Sequence, residues 1–442
     1  MKQHRFSLNA VQNLALSFTC IILLGGFLLM LPISSRSGQP LPFLDAVFTS
    51  ASAACVTGLV LYDTWTQFTF FGQAVILLLI QVGGLSFMTV TIFISMLLGR
   101  RIGLHSRAVL MDTVGALQMG GIVRLTGFIL KAALVMELAG TALLLPTFSR
   151  EFGFFQGAWY ALFHAVSAFC NAGFDLMGIK APFSSLTDYA AHPVVNITIM
   201  LLIILGGIGF LTWDDIRTNR LRLRKYRMQS KVILTVTLAL ILIPAVYFFF
   251  CEFSWAPMKE RVLLSLFQAV TPRTAGFNTA DLTAMSETGQ AITTLLMLIG
   301  GSPGSTAGGM KTTTLAVLLA SALAVFRQRE NPQFFGRRVS HETVLQASTI
   351  LMMYLALFLG GGLVISGVED LPVLSCLFET ASAVGTVGLS LGLTPELGAL
   401  SHLILIVLMF FGRVGGLTLI FAALSKTQTG GAKLPQERIT VG

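Results

Sequence analysis

Residues 44–60 read LDAVFTSASAACVTGLV, a run of small and apolar residues that ends just after Thr57-Gly58. Three similar stretches follow along the chain. They read YALFHAVSAFCNAGFD at 160–175, LLSLFQAVTPRTAGFN at 263–278 and CLFETASAVGTVGLS at 376–390. Each carries a Phe nine or ten residues before a Gly, and in the shorter third copy Pro272 and Arg273 replace a Ser-Ala pair. Four copies of one pattern indicate an internal repeat, and this repeat decides the fold.

Longer apolar runs flank the four stretches. They lie near 12–33, 68–99, 122–147, 194–216, 230–251, 289–326 (interrupted), 343–366 and 399–424. A helix needs about 20 apolar residues to cross a bilayer, so we expect eight spans. The segments between paired spans are too short to cross and are expected to be re-entrant half-helices, at 41–57, 156–172, 260–275 and 371–387. The sequence predicts an all-α polytopic membrane protein with four span–pore-helix–span repeats around a pseudo-fourfold central pore.

The repeat period divides the chain into four predicted domains. They are 1–100, 101–220, 221–328 and 329–442, and the third includes an irregular segment at 300–310. Paired glycines also recur 24 to 33 residues after each repeat glycine, at 83–84, 206–207, 300–301 and 415–416. Such pairs are typical of closely packed membrane helices.

Composition supports a membrane protein. Of 442 residues, 54% are hydrophobic and 11% are charged, against about 25% charged in a typical soluble domain. The net charge is +9, and the basic residues cluster near 100–107, 217–231, 327–338 and both termini. This asymmetry predicts that the basic segments and both termini are cytoplasmic. Contact with anionic lipid headgroups explains the positive charge, so no nucleic-acid partner is expected.

The four repeat glycines and the residues before them are candidate ion ligands. The twelve residues are Val56, Thr57, Gly58, Asn171, Ala172, Gly173, Thr274, Ala275, Gly276, Thr386, Val387 and Gly388. None is acidic, so the expected ligands are backbone carbonyls, which replace the water that a cation sheds. Glycine suits this task because it adopts backbone angles closed to other residues. The alternative is four tight turns that join half-helices to strands.

The pore loops resemble those of the Trk/Ktr/HKT superfamily of potassium transporters, over nearly the whole chain. The eight-span length resembles the KtrB branch, as do VGLSLGLTPEL at 387–397 and GRVGGLTL at 412–419. The resemblance implies potassium uptake across a bacterial cytoplasmic (inner) membrane, with sodium as a candidate coupling or activating ion. Relatives that pass sodium carry Ser at the first filter glycine, whereas this chain has Gly58. A selectivity filter for potassium is therefore expected.

The interruption in the sixth span is a candidate gate. It consists of Gly300, Gly301, Ser302, Pro303, Gly304, Ser305, Thr306, Ala307, Gly308 and Gly309. Five glycines and a proline are too many for a continuous helix, and irregular backbone in a membrane must be buried in protein or line a cavity. The resemblance implies an intramembrane gating loop; the alternative is a kinked helix sealed by neighbours. A phosphate-binding motif is excluded because Met310 separates Gly309 from Lys311.

Two cations accompany the predicted gating loop. Arg413 lies deep in the last span, where a charge costs roughly 2.5–3.5 kcal/mol unless it has a partner or water. We expect it to face the inner pore and to bind the loop, the alternative being a hydrogen bond to another helix. Lys311 lies at the foot of the loop and is either part of the gate or an ordinary interfacial lysine.

The resemblance also implies partners. KtrB-like subunits form homodimers and bind a cytoplasmic ring of nucleotide-binding RCK subunits, KtrA-like in type. The basic segments 217–231 and 327–338 are candidate docking surfaces, and residues 439–442 a candidate dimer contact. A secondary carrier with two inverted halves fits four similar loops less well. No enzyme is expected, because the histidines are dispersed and the sequence contains no catalytic motif.

Overall fold

The computed structural model describes residues 10–85, 122–220 and 222–415. Within these ranges the regular structure is helical, apart from a hairpin that pairs Gln333–Phe334 with Arg337–Arg338. The predicted all-α class is confirmed. The expectations for the basic cluster at 100–107 and for residues 439–442 lie outside the described residues.

The helices follow one another in four units, each with a short pore helix in the middle. The pore helices are Phe43–Ala54, Phe154–Cys170, Met258–Val270 and Val373–Gly385. The helices before them are Ala10–Met30, Ile122–Phe152, Met228–Tyr247 and His341–Glu369. The helices after them are Phe70–Gly84, Pro193–Gly207 with Phe210–Asn219, Glu287–Leu298 with Thr312–Phe326, and Ala399–Val414.

Shorter turns connect these helices. They are the α-helix Thr64–Gln67, a π-helical turn at Phe248–Glu252, and 3₁₀ turns at Pro32–Ser34, Met177–Ile179, Thr187–Tyr189, Leu223–Lys225 and Thr394–Glu396.

Among the described residues, three helices are long and apolar enough to cross a membrane, namely Val123–Phe152, Met228–Glu252 and His341–Glu369. The expected span at 194–216 is broken, because the chain bends by 97° between Pro193–Gly207 and Phe210–Asn219, and the two helices are long and apolar enough to cross a membrane only when taken together. The sixth span is interrupted as predicted, between Leu298 and Thr312. Two other expected spans, 68–99 and 399–424, run beyond the described residues.

The core of the molecule lies around the pore helices. The repeat Phe of each unit is 0–1% exposed, at Phe48, Phe163, Phe267 and Phe378. Large apolar side chains on the flanking helices are instead exposed, as at Val135 (67%) and Ile243 (71%). In a lipid-embedded protein apolar side chains can face outward, so the buried positions are those at which helices meet.

Glycines let the flanking helices approach the ends of the pore helices. A Cβ atom added at Gly83 would overlap the carbonyl oxygen of Ala54, and one at Gly206 would overlap that of Phe169. In the fourth unit the equivalent contact is made by Gly412 against the Val384 carbonyl. Each of these carbonyls lies four residues before a repeat glycine. The expected close packing therefore occurs at Gly83 and Gly206, and Gly412 makes it in the fourth unit, whereas Gly416 lies outside the described residues.

Candidate functional site

The four repeat glycines lie next to one another in a closed ring. A Cβ added at Gly58 would lie 3.2 Å from Gly173 Cα, and one at Gly173 would lie 3.0 Å from Gly276 Cα. From Gly276 the corresponding distance to Gly388 Cα is 3.2 Å, and from Gly388 back to Gly58 Cα it is 2.9 Å. Residues separated by more than 100 positions thus meet around one axis, and a side chain at any of them would enter the space of the next.

The residues that end in the four repeat glycines, called filter strands below (56–58, 171–173, 274–276 and 386–388), have backbones that alternate in handedness. The four glycines have φ values of 92°, 68°, 80° and 92° in chain order. Two residues earlier, Val56, Asn171, Thr274 and Thr386 also have positive φ, between 52° and 67°. The residue between each pair does not, so every second residue is left-handed. In an ordinary strand successive carbonyls point to opposite sides, and this alternation turns successive peptide groups toward the same side.

Hydroxyl groups of the pore helices hold the filter strands. Ser52 Oγ accepts a hydrogen bond from Gly58 N at 3.1 Å, and Ser382 Oγ accepts one from Gly388 N at 3.0 Å. In the second unit Ser167 Oγ donates instead to Phe174 O at 2.7 Å. Sequence reasoning missed these residues, although a hydroxyl recurs six residues before three of the glycines.

The third filter strand is held by Thr271, whose Oγ1 donates to Phe277 O at 2.7 Å. This bond matches that of Ser167, although Thr271 is only five residues before Gly276. The third copy therefore omits one residue after the hydroxyl, and Pro272-Arg273 does not replace the Ser-Ala pair. Neighbouring strands are also joined, because the Asn171 amide is hydrogen-bonded to Thr274 Oγ1 at 3.2 Å.

A cavity of 990 Å³ opens on one side of the ring and is called the vestibule below. All four repeat glycines line it, together with residues that follow them. Its acidic lining residues are Asp63, Asp175, Glu252, Glu260, Asp281 and Glu396, and none of the described residues that line it is Lys or Arg. The vestibule is therefore a region of negative potential, which attracts cations.

Glu379 does not line the vestibule. Its buried carboxylate accepts hydrogen bonds from Ser390 Oγ at 2.8 Å and Leu391 N at 2.9 Å, and from the Thr394 hydroxyl. Glu379 thus fixes the chain that follows the fourth filter strand.

The irregular segment 299–311 lies on the other side of the ring. Gly300 N donates to Met310 O at 2.8 Å, which closes its base. At its tip Thr306 Oγ1 donates to Phe169 O, the last-turn carbonyl of the second pore helix, at 3.0 Å. Gly309 N donates to Gly412 O at 3.2 Å. The segment therefore packs against the residues before the repeat glycines, whereas the vestibule lies beyond them.

Arg413 joins this segment to the first unit. Its guanidinium donates to the carbonyl oxygens of Thr306 and Gly83, and to Gly84 O at 3.1 Å. The arginine thus contacts both the loop and the end of another helix. Lys311 Nζ donates to Ala307 O at 2.8 Å and Gly308 O at 3.3 Å, so this lysine braces the loop internally.

The chain matches a family of known proteins along almost its whole length. The model of a family described as "TrkH: Cation transport protein" matches residues 3–430. The chain is 40% identical to the potassium/sodium uptake protein NtpJ of Enterococcus hirae, over 100% of this chain and 99% of that protein. It is 40% identical to the Ktr system potassium uptake protein B of Bacillus subtilis, over 98% and 96%.

The fold has a solved counterpart. The crystal structure of the potassium transporter TrkH from Vibrio parahaemolyticus matches with a TM-score of 0.74 at 18% identity, over 96% of this chain and 87% of that one. The resemblance read from the pore loops is confirmed by the family match and by both relatives. The chain belongs to the TrkH family of membrane cation transport proteins.

Proposed function

We propose that this protein takes up potassium ions through a filter of backbone carbonyls contributed by its four pore loops. The observation that carries the proposal is the closed ring of Gly58, Gly173, Gly276 and Gly388, with left-handed backbone at every second residue. A cation that leaves water must regain oxygen ligands, and four strands with carbonyls on one side can supply them. The acidic vestibule would raise the cation concentration at the entrance.

Sodium is the second candidate ion. One relative is named a potassium/sodium uptake protein, whereas the relative from Bacillus subtilis is named for potassium uptake alone. Sodium would act as a coupling or activating ion, or pass through the same pore. Measuring potassium uptake with and without external sodium separates activation from competition, because an activating ion increases uptake and a competing ion decreases it.

The segment 300–310 is proposed to gate the pore. It packs beneath the filter strands, where Gly308 lies against Thr386 and Gly309 lies against Gly385. Arg413 would hold the gate closed, because its guanidinium group donates hydrogen bonds both to the loop and to the first unit. Release of the loop would then open a path from the filter to the cytoplasm.

The proposed assembly is a homodimer in a bacterial inner membrane, with both termini in the cytoplasm and an RCK-type nucleotide-binding ring on that side. The basic segment near 217–231 contains surface ion pairs, among them Arg227 with Asp214 at 3.0 Å. Inward movement of one charge yields about 2.3 kcal/mol per 100 mV, so the membrane potential alone can accumulate potassium.

Growth of a potassium-uptake-deficient bacterium tests the proposed function. The chain, expressed with its regulatory partner, should restore growth at low potassium, and purified protein in liposomes should take up rubidium. Absence of both activities from correctly inserted, monodisperse protein would contradict the proposal.

Uptake should also depend on external pH through Asp175. Partial burial at the wall of the vestibule, reinforced by the nearby Asp63 carboxylate, raises the pKa of Asp175 to about 7. The carboxyl is therefore protonated and neutral below about pH 7 and negative above it. At subsaturating potassium we expect about twofold faster uptake at about pH 8 than at about pH 6, since the vestibule gains a negative charge.

Two variants identify the titrating group. Asp175→Asn should abolish the pH dependence and keep the lower rate throughout. Asp281→Asn should lower uptake equally at both pH values, because hydrogen bonds from Thr283 keep the pKa of Asp281 below its usual range. A pH dependence that persists in Asp175→Asn would assign it to another group.

A further inference from the structure

The break between Pro193–Gly207 and Phe210–Asn219 lies against the proposed gating loop. A helix that ends leaves its last carbonyls without backbone partners. Inside a membrane no bulk water replaces these partners, so other protein groups must supply hydrogen bonds. The groups that donate hydrogen bonds to these carbonyls are therefore the groups that stabilise the break.

Three successive carbonyls at the end of the first helix are satisfied from outside it. Gly206 O accepts from Thr306 N at 3.2 Å, and Gly207 O accepts from Ser302 N at 2.9 Å. Both donors belong to the gating loop. The carbonyl before them, Leu205 O, accepts from the indole Nε1 of Trp213 at 3.0 Å.

The loop also binds the start of the second helix. Phe210 N, one of its free donors, bonds to Gly304 O at 2.6 Å. Gly209, with φ of 90°, leaves room for the Pro303 carbonyl, which a Cβ would approach to 2.7 Å. The loop thus caps both helix ends at the break. The position of the loop and the bend between the two helices therefore depend on each other.

Trp213 fills the inside of the bend. It is 4% exposed, and its ring packs on Phe210 and Phe169 at centroid distances of 5.2 and 5.7 Å. The Phe169 carbonyl is the acceptor of the Thr306 hydroxyl. The indole N–H therefore ties the second helix back onto the first at the point where the loop docks.

We propose that Trp213 is a positioning residue for the gating loop: its indole N–H pins the bend that presents Gly206 O, Gly207 O and Phe210 N to the loop. Trp213 does not line the vestibule. This inference rests on the proposed function only for the consequence that a displaced loop changes flux. The position of the loop can be measured separately.

The test uses Trp213→Phe, which removes the indole N–H and keeps an aromatic ring. The matched control is Trp159→Phe, because Trp159 Nε1 also donates one hydrogen bond, to Gln73 Oε1 at 2.9 Å, away from the loop. Loop position is read by maleimide labelling of Ser305→Cys, with exposed Cys20 and Cys251 replaced by serine. Rubidium uptake into liposomes is measured on the same proteins.

We expect labelling and basal uptake to rise about two- to tenfold in Trp213→Phe, the range that a single hydrogen bond supports. The control should match the parent in labelling. Equal labelling of the two variants would overturn the inference. Faster labelling with unchanged uptake would support the positioning role and contradict gating by the loop.

A reciprocal measurement leaves Trp213 intact in case its replacement does not fold. Coupling between loop and bend must act in both directions. Loosening the loop by Arg413→Ala should therefore speed hydrogen exchange of the Trp213 indole N–H and leave that of Trp159 unchanged. Unchanged exchange at Trp213, with the loop shown to be loosened by labelling of Ser305→Cys, would overturn the inference.

Discussion

Replacement of Gly58 by serine is expected to reduce potassium uptake about 10- to 100-fold, because a side chain at a left-handed filter position costs roughly 1–3 kcal/mol. Gly58 has φ of 92°, and an added Cβ would lie 2.5 Å from the Ala172 carbonyl oxygen of the next filter strand. To relieve this contact that carbonyl must turn or move, which removes a proposed ligand of the dehydrated ion. Sodium uptake should fall less than potassium uptake, so the ratio of the two fluxes should decrease.

The matched control is Gly153→Ser. Gly153 has φ of 82°, but nothing lies within 4 Å of an added Cβ. The control therefore carries the same kind of backbone strain without contact with a filter strand. Rubidium and sodium uptake into liposomes measure both fluxes. An unchanged flux ratio in Gly58→Ser would show that the repeat glycines do not form the selectivity filter. The same change of flux ratio in both variants would contradict the prediction as well.

Removal of the guanidinium in Arg413→Ala is expected to raise basal flux by about tenfold or more, since hydrogen bonds from a charged donor contribute about 1.5–3 kcal/mol each. The variant loses the bonds to Thr306 O and to the carbonyls of Gly83 and Gly84. The proposed closed position of the loop should thereby be weakened, whereas the filter strands keep their contacts. The ratio of potassium to sodium flux should therefore stay that of the parent.

Arg413→Lys tests whether restraint of the loop requires the planar guanidinium donors or only a positive charge. Lysine keeps the positive charge but offers a single ammonium group, which cannot bind the loop and the first unit with the same planar geometry. We expect basal rubidium uptake between those of the parent and Arg413→Ala. Lower uptake in Arg413→Ala than in the parent would show that the arginine supports conduction and does not restrain the loop.

Much of this architecture could be predicted from local sequence. The pore helices Phe43–Ala54 and Val373–Gly385 fall inside the predicted half-helices 41–57 and 371–387. The interruption at 300–309 was equally visible, because clustered glycines with a proline cannot continue a helix. The half-helices are recognised because their segments are too short to cross a membrane, and the interruption is recognised because glycine and proline oppose a helix, so neither feature needs a distant partner to be seen.

The break at Gly209 shows what local sequence misses. Residues 194–216 read as one apolar run without proline, and the paired glycines Gly206 and Gly207 are equally typical of closely packed membrane helices. The helix ends there because the loop supplies partners for its carbonyls from about 100 residues away, at Ser302 and Thr306. Local sequence missed Thr271 for the same reason. Its hydrogen bond to Phe277 O forms only when the folded chain brings the third filter strand back against the end of its pore helix.

By itself, the sequence determined the class of the protein, the four pore loops and the family, since apolar length, glycine content and repetition are properties of the chain. Tertiary structure alone decided how the loops close into a ring and which groups hold the loop beneath it. Gly58 and Gly388 become neighbours, and Arg413 reaches Gly84, only when all four units pack around one axis. The physical reason is that backbone donors and acceptors in an apolar environment must find partners, and the folded chain determines which ones are within reach.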